Sequence, residues 1–165
     1  YKESDILQIV HLIDTDGAFI PDNLVKTRTE KGIQYFEDHI ETGEVKYIQE
    51  RNQKKSSVVA SLCSTGKMKS SIPYSIYYFS RNMEHVLHNV ATELTDDQKV
   101  ELADAFADRY EENPMDFVAF IESEEVAVPG GYTQTWTFIR EGTNSLNRHS
   151  NLRILFEQEN LKSTD

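Results

Sequence analysis

The chain has a single cysteine in 165 residues, Cys63, so an internal disulfide is excluded. One thiol fits a reducing compartment, and the expectation is a cytoplasmic protein. Cys63 falls in a helical run or at its end, with nothing resembling a catalytic Cys/His pair around it, and reads as a small buried residue. No stretch approaches the ~20 apolar residues of a membrane span and no signal peptide is apparent, so a membrane is not an expected partner. The chain opens at Tyr1 rather than at a methionine, which leaves room for residues upstream. Basic charge is scarce: 17 Lys and Arg stand against 28 Asp and Glu, a net charge of −11. Non-specific affinity for nucleic acid needs Lys and Arg against phosphate, which argues against a passive coating protein. It does not argue against an enzyme that reaches phosphate through metal ions. Also missing are internal repeats, a glycine-rich phosphate loop, a zinc-spaced cysteine set and a nucleophile elbow.

What remains is a globular composition, 38% apolar, 10% aromatic and 27% charged, at the length of one ordinary domain with no dividing linker. Ile6 to Ile13 is an almost unbroken apolar run, the pattern of a buried, central strand in a parallel or mixed sheet. It stops at the turn Asp14-Thr15-Asp16-Gly17. Gly32 to Ile40 fits a second strand or a short helix equally well. Arg51 to Cys63 reads as a helix, and Ile72 to Phe79, dense in aromatic and β-branched residues, as a strand. Ser80-Arg81-Asn82 turns the chain into a helix from Met83 to about Thr92. Thr95-Asp96-Asp97-Gln98 is a capping box for a helix to about Tyr110, with Leu102, Phe106 and Tyr110 on one face. Asn113-Pro114 starts another helix, Gly130-Gly131 is a break, and residues 132–140 and 151–159 read as further helices. The expected fold is α/β: a small, mostly parallel sheet flanked by helices, with a helix-rich C-terminal half.

The acid pair is the sharpest chemical signal. Alternate side chains of a strand share a face, so Asp14 and Asp16 can converge on one cation. Such hard oxygen ligands suit Mg²⁺ or Mn²⁺ carrying water and substrate phosphate. Acids at the carboxyl end of a strand also stand where α/β folds put their ligands. A second constellation runs from Ser80 to His88 at the end of the other clear strand. Glu84 and His88, four apart, face one side of a helix and could extend a metal site or serve acid–base chemistry. Ser80, Asn82 and His85 are supporting candidates there. Asp38, beside His39, is a weaker one. His11 reads as a buried, hydrogen-bonded histidine. The cations Arg51, Lys54, Lys55, Lys67 and Lys69 read as a solvated helix face before they read as a polyanion contact, and Arg148, His149 and Arg153 likewise.

At Ile9 to Asp16 and Tyr77 to His88 the chain resembles the TOPRIM-like group, especially the phage-defence branch of RloB- and OLD-type proteins. Those members have a hydrophobic strand ending in Asp-x-Asp, and a later strand running into a Ser/Asn-rich turn and a glutamate-bearing helix. The resemblance implies a Mg²⁺-dependent fold that cuts or rejoins nucleic acid strands, often beside an ATPase partner. Asp14, Asp16 and Glu84 carry over as metal ligands. The family places another glutamate on an earlier strand, and Glu3 does not sit in that context. Ile9 to Gly17 also looks like the opening signature of haloacid-dehalogenase-like phosphatases, with Asp14 as nucleophile, Asp16 as acid–base and Ser80 as second motif. Ala18 replaces their threonine, and no later strand carries their paired acids. A third expectation is an interaction module without chemistry, built on the acidic surface and exposed Tyr and Trp.

Overall fold

A computed structural model of the chain describes residues 2–69, 71–92 and 94–162. Strand β1 (Ile9–Asp14) ends at the acidic turn. Three short strands follow, β2 (Val25–Thr27), β3 (Ile33–Tyr35) and β4 (Ile40–Thr42), and then helix α1 (Val45–Cys63). The brief β5 (Lys67–Met68) leads into β6 (Ile72–Phe79). The rest is helical: α2 (Met83–His88), α3 (Asp96–Glu111), α4 (Pro114–Glu122), α5 (Tyr132–Phe138) and α6 (Arg153–Lys162). The fold is mixed α/β with a helix-rich C-terminal half, as expected, but its strands form two small sheets rather than one. In the first, the order is β1-β6-β5, with β1 parallel and β5 antiparallel to β6. In the second, β4 lies between parallel β2 and antiparallel β3.

Strand β6 is central because both of its faces are apolar. Tyr74, Ile76 and Tyr78 pack on one side with Val59 of α1 and Trp136 of α5. Tyr77 and Phe79 pack on the other with Val86 of α2, Ile121 of α4 and Ile154 of α6. Full burial of such side chains is worth roughly 1.5–3 kcal/mol each, far more than the propensity of any single residue. Beyond β5, the second edge of β6 is closed largely by side chains. The Tyr132 hydroxyl receives the Ile76 N–H at 3.3 Å and donates to the Ile76 carbonyl at 2.9 Å. Asn151 accepts from the Tyr78 N–H at 2.9 Å, and the Ser150 hydroxyl donates to the Tyr78 carbonyl at 2.8 Å. Buried backbone groups must find partners, and here side chains replace a neighbouring strand.

Several expectations need correction. Strand β1 is not central but an edge strand in this sheet. It begins at Ile9, Ile6 and Leu7 precede it exposed, and Val10 and Leu12 face outward while Ile9 and Ile13 join the core. Gly32–Ile40 is neither one strand nor a helix. It forms β3, a turn closed by the Phe36 N–H on the His39 carbonyl at 2.9 Å, and the start of β4. Helix α1 begins at Val45, not Arg51. Helix α2 ends at His88, because Asn89 turns left-handed (φ 56) and its N–H returns to the last turn. Trp136 is buried rather than available to a partner. The capping box at Thr95 forms as expected: the Gln98 N–H donates to Thr95 Oγ1 at 3.3 Å, and the Thr95 N–H to Gln98 Oε1 at 2.9 Å. Among the described residues no helix is long and apolar enough to cross a membrane.

The turn after β1 depends on glycine. Gly17 has φ +63, and a Cβ there would press on the fully buried Leu146 side chain. Gly17→Ala should therefore lower stability by about 2 kcal/mol, from the left-handed backbone plus overpacking. Urea denaturation measures it. An unchanged midpoint would contradict this shape for the turn.

Candidate functional site

The two parallel strands β1 and β6 run in register, with Asp14 opposite Phe79, so their carboxyl ends lie side by side. The chain then stitches the two ends together. The Thr15 N–H donates to the Phe79 carbonyl at 3.0 Å and the Asp16 N–H to the Arg81 carbonyl at 2.7 Å. The Arg81 N–H in turn donates to the Thr15 hydroxyl at 3.0 Å. Thr15 is fully buried, and this brace explains why a hydroxyl belongs there. Asp16 (φ 51) and Arg81 (φ 57) both adopt left-handed backbone to make it. For an arginine that conformation costs about 1–2 kcal/mol, and such cost concentrates at functional turns.

The brace brings Asp14 next to the start of α2, where the Met83 N–H donates to its carboxylate. Burial, then the charges of Asp16 and Glu84, raise the Asp14 pKa to about 6 against the pull of Lys55. Asp14, Asp16 and Glu84 thus share one electrostatic neighbourhood. Lys55 of α1 forms an ion pair with the Asp16 carboxylate. Arg51, one turn earlier, donates through Nη2 to the Asp16 carbonyl at 2.9 Å and through Nη1 to the Tyr35 hydroxyl at 3.1 Å. Expected on a solvated face, Arg51 and Lys55 instead turn onto the acidic turn. Of the other cations in that stripe, Lys69 pairs with Glu3 at 3.1 Å.

The remaining candidates divide. Glu84 and His88 share one side of α2, as their spacing predicts, and the nearby Glu84 favours the His88 imidazolium. Burial nevertheless lowers the His88 pKa, and its ring meets Phe106 edge-on at 5.9 Å. His85 does not serve the acids. Burial first, then Arg81, Arg148 and His149, press its pKa down to about 4, so it stays neutral. Asn82 caps α2, accepting the His85 N–H at 2.8 Å. The Ser80 hydroxyl is committed to the loop behind it: it accepts the His149 N–H at 2.7 Å and donates to the Asn147 carbonyl. Asp38 stands apart, bonded to His39 at 2.6 Å in the turn between β3 and β4, and that bond holds its pKa low. His11 is bonded to the Tyr74 hydroxyl at 2.7 Å, as a strand histidine should be.

Among the described residues no three His, Cys, Asp or Glu side chains stand together as a ready ion cage. Asp16 is instead paired with Lys55. The donor chemistry still fits a hard divalent cation, because Mg²⁺ is commonly held by one or two carboxylates and keeps several waters. An excess of negative charge around half-buried Asp14 is what such an ion would neutralise. The chain matches no protein-family model, no curated protein and no solved structure.

The electrostatics have a consequence for stability. A carboxyl whose pKa rises on folding opposes folding wherever the unfolded chain has already lost that proton. The Asp14 penalty is therefore absent below its ordinary value of 3.8, grows as pH rises toward 6, and is full above it. Asp14→Asn should stabilise the protein by about 1–2 kcal/mol near neutrality, with solvent screening allowed for, and by almost nothing near pH 4. Melting curves at the two pH values, both without divalent metal, compare the variants. An equal effect at both would remove the charge cluster as the cause.

Proposed function

We propose that this chain is a Mg²⁺- or Mn²⁺-dependent, TOPRIM-like phosphoryl-transfer domain acting on nucleic acid, with Asp14, Asp16 and Glu84 as its metal-binding acids. The observation that carries this reading is the placement of Asp14 and Asp16 where the parallel strands β1 and β6 end side by side, bonded to the turn that opens α2. Burial and two neighbouring carboxylates leave an anionic group at the carboxyl ends of two parallel strands in need of positive charge. A divalent ion held there would supply Lewis-acid activation of a phosphate oxygen and lower the pKa of a bound water.

The chain's own residues have defined parts in this scheme. Asp14 is held toward the site by the Met83 N–H. The Thr15–Arg81 brace fixes the separation of the two strand ends. Lys55, half-buried and ion-paired with Asp16, would be a partner for a phosphate oxygen if Asp16 served as a metal ligand. Arg51 pins the Asp16 backbone from the other side. The phosphatase alternative is less well supported, because the Ser80 hydroxyl is already bonded on both its donor and acceptor sides. A role in phage defence and an ATPase partner, implied by the resemblance, belong to the same proposal.

The test is a thermal melt in millimolar Mn²⁺ and Mg²⁺, on wild type and on Asp16→Asn, followed by cleavage assays on single- and double-stranded nucleic acid. Ligand at a hundred times its dissociation constant stabilises by about 2.7 kcal/mol, several degrees for a domain of this size. The expected result is a metal-dependent shift in wild type that Asp16→Asn loses together with any cleavage. Equal behaviour of the two proteins would overturn the proposal.

A further inference from the structure

Across the Arg81 turn from the acids lies a pocket of opposite character. It has a volume of about 500 Å³, within the usual range for ligand sites of roughly 300–1,000 Å³. Its walls include Arg28, Lys31, Tyr35, Phe36, Arg81 and Asn82. No described residue of its wall is acidic, although the chain as a whole carries −11. The three cations differ in how far they are already satisfied. Arg28 pairs with Glu30 at 2.6 Å and also donates to Gln34, which holds it in place. Lys31 is exposed, and no described carboxylate pairs with it.

Arg81 is the unusual one. It is 6% exposed, its Nε has no hydrogen-bond partner, and no described carboxylate pairs with it. Its guanidinium lies 4.8 Å from the centre of the Tyr35 ring and donates to the Ala91 carbonyl. A buried cation met only by a ring face and a carbonyl is costly unless an anion completes it. Burial accordingly lowers the Arg81 pKa. The aromatic side is equally prepared. Phe36 is stacked on His39, 4.4 Å between centres and 4° from parallel, and His39 is held in turn by Asp38 and Glu41. The ring plane of Phe36 is thereby fixed before any ligand arrives.

Cations that meet phosphate beside aromatic rings that meet a base are the two halves of single-strand recognition, and a paired base offers no face to stack on. We infer that this pocket seats one unpaired nucleotide of a nucleic acid strand, its phosphate on Lys31, Arg28 and Arg81 and its base on Phe36 and Tyr35. The inference deepens the phosphoryl-transfer reading and rests on it for the strand's fate, because the pocket adjoins the acids. Tyr35 accepts from the Arg51 that holds Asp16, and Arg81 is bonded to Asp16 and Thr15.

The test is fluorescence anisotropy in EDTA, so that no divalent ion contributes. The probes are a labelled single-stranded DNA oligonucleotide, the RNA of the same sequence, and the blunt DNA duplex. Wild type should prefer one or both single strands to the duplex. The better of DNA and RNA identifies the sugar. Lys31→Glu, at an exposed position with no folding cost, should weaken single-strand binding about tenfold and flatten its salt dependence by about 0.7 in log–log slope for each phosphate no longer neutralised. Phe36→Leu should weaken it about fivefold or more, the loss of one base–aromatic stack. No binding, or binding that neither variant alters, would overturn the inference. Loss with Lys31→Glu alone, with the duplex bound equally well, would overturn its base-stacking half. Binding in EDTA that behaves as expected, beside a protein whose melting ignores Mn²⁺, would retain the pocket and reject the phosphoryl-transfer reading.

Discussion

Two strand ends held side by side by Thr15 and Arg81 are the constraint on which everything chemical here depends. A parallel pair such as β1 and β6 leaves unpaired N–H and C=O groups where each strand stops, and burial makes those groups expensive. The Asp16 N–H and the Arg81 carbonyl satisfy one another, and the Thr15 hydroxyl takes the Arg81 N–H. Both turns must go left-handed to close this arrangement. Its local cost is offset by burial on both sides of β6, where Tyr77, Tyr78 and Ile76 lie almost wholly out of solvent. The result is a fixed platform on which Asp14 looks toward the first turn of α2.

Much of this platform can be read from residue order, for identifiable reasons. Strand β6 is legible because a strand buried on both faces needs an unbroken aromatic and β-branched run, and Ile72–Phe79 supplies one. The Thr95 box is legible because reciprocal capping is local. Strand β1 looks the same as a central strand in sequence. Its apolar run says that the strand could be covered on both faces, not that a neighbour exists to do so, and Val10 and Leu12 stay at the surface. Helix α2 looks longer than it is because nothing in Asn89-Val90-Ala91 forbids helix. Only the left-handed Asn89 ends it.

The same distinction divides the site. The acid pair stands out because Asp-x-Asp-Gly after an apolar strand is compact in sequence. Arg51 and Lys55 do not, because cations four apart on a helix look identical whether they face water or a carboxylate on a distant turn. Thr15 is hidden between two conspicuous acids, and its role appears only when β6 is set beside β1. Glu84 shares the neighbourhood of Asp14, whereas His85, one residue on, turns into the interior among cations. Adjacent positions of a helix point about 100° apart, so nearness in sequence gives opposite outcomes here.

Charge organises the two sides of the Arg81 turn into complementary regions. On one side burial, then the carboxylates of Asp16 and Glu84, raise the pKa of Asp14. On the other, cations gather in a pocket whose described walls hold no acid. The regions are also mechanically continuous. Arg51 bonds Tyr35 of the pocket with one nitrogen and the Asp16 carbonyl with the other, and Arg81 joins the Tyr35 ring to the turn through its own backbone. A strand phosphate drawn to the pocket would therefore change the load on the groups that hold Asp16. Coupling of that kind needs no moving domain, only one arginine bonded at both ends, and it is reciprocal: an anion in the pocket and charge at the acidic turn would each bear on the other.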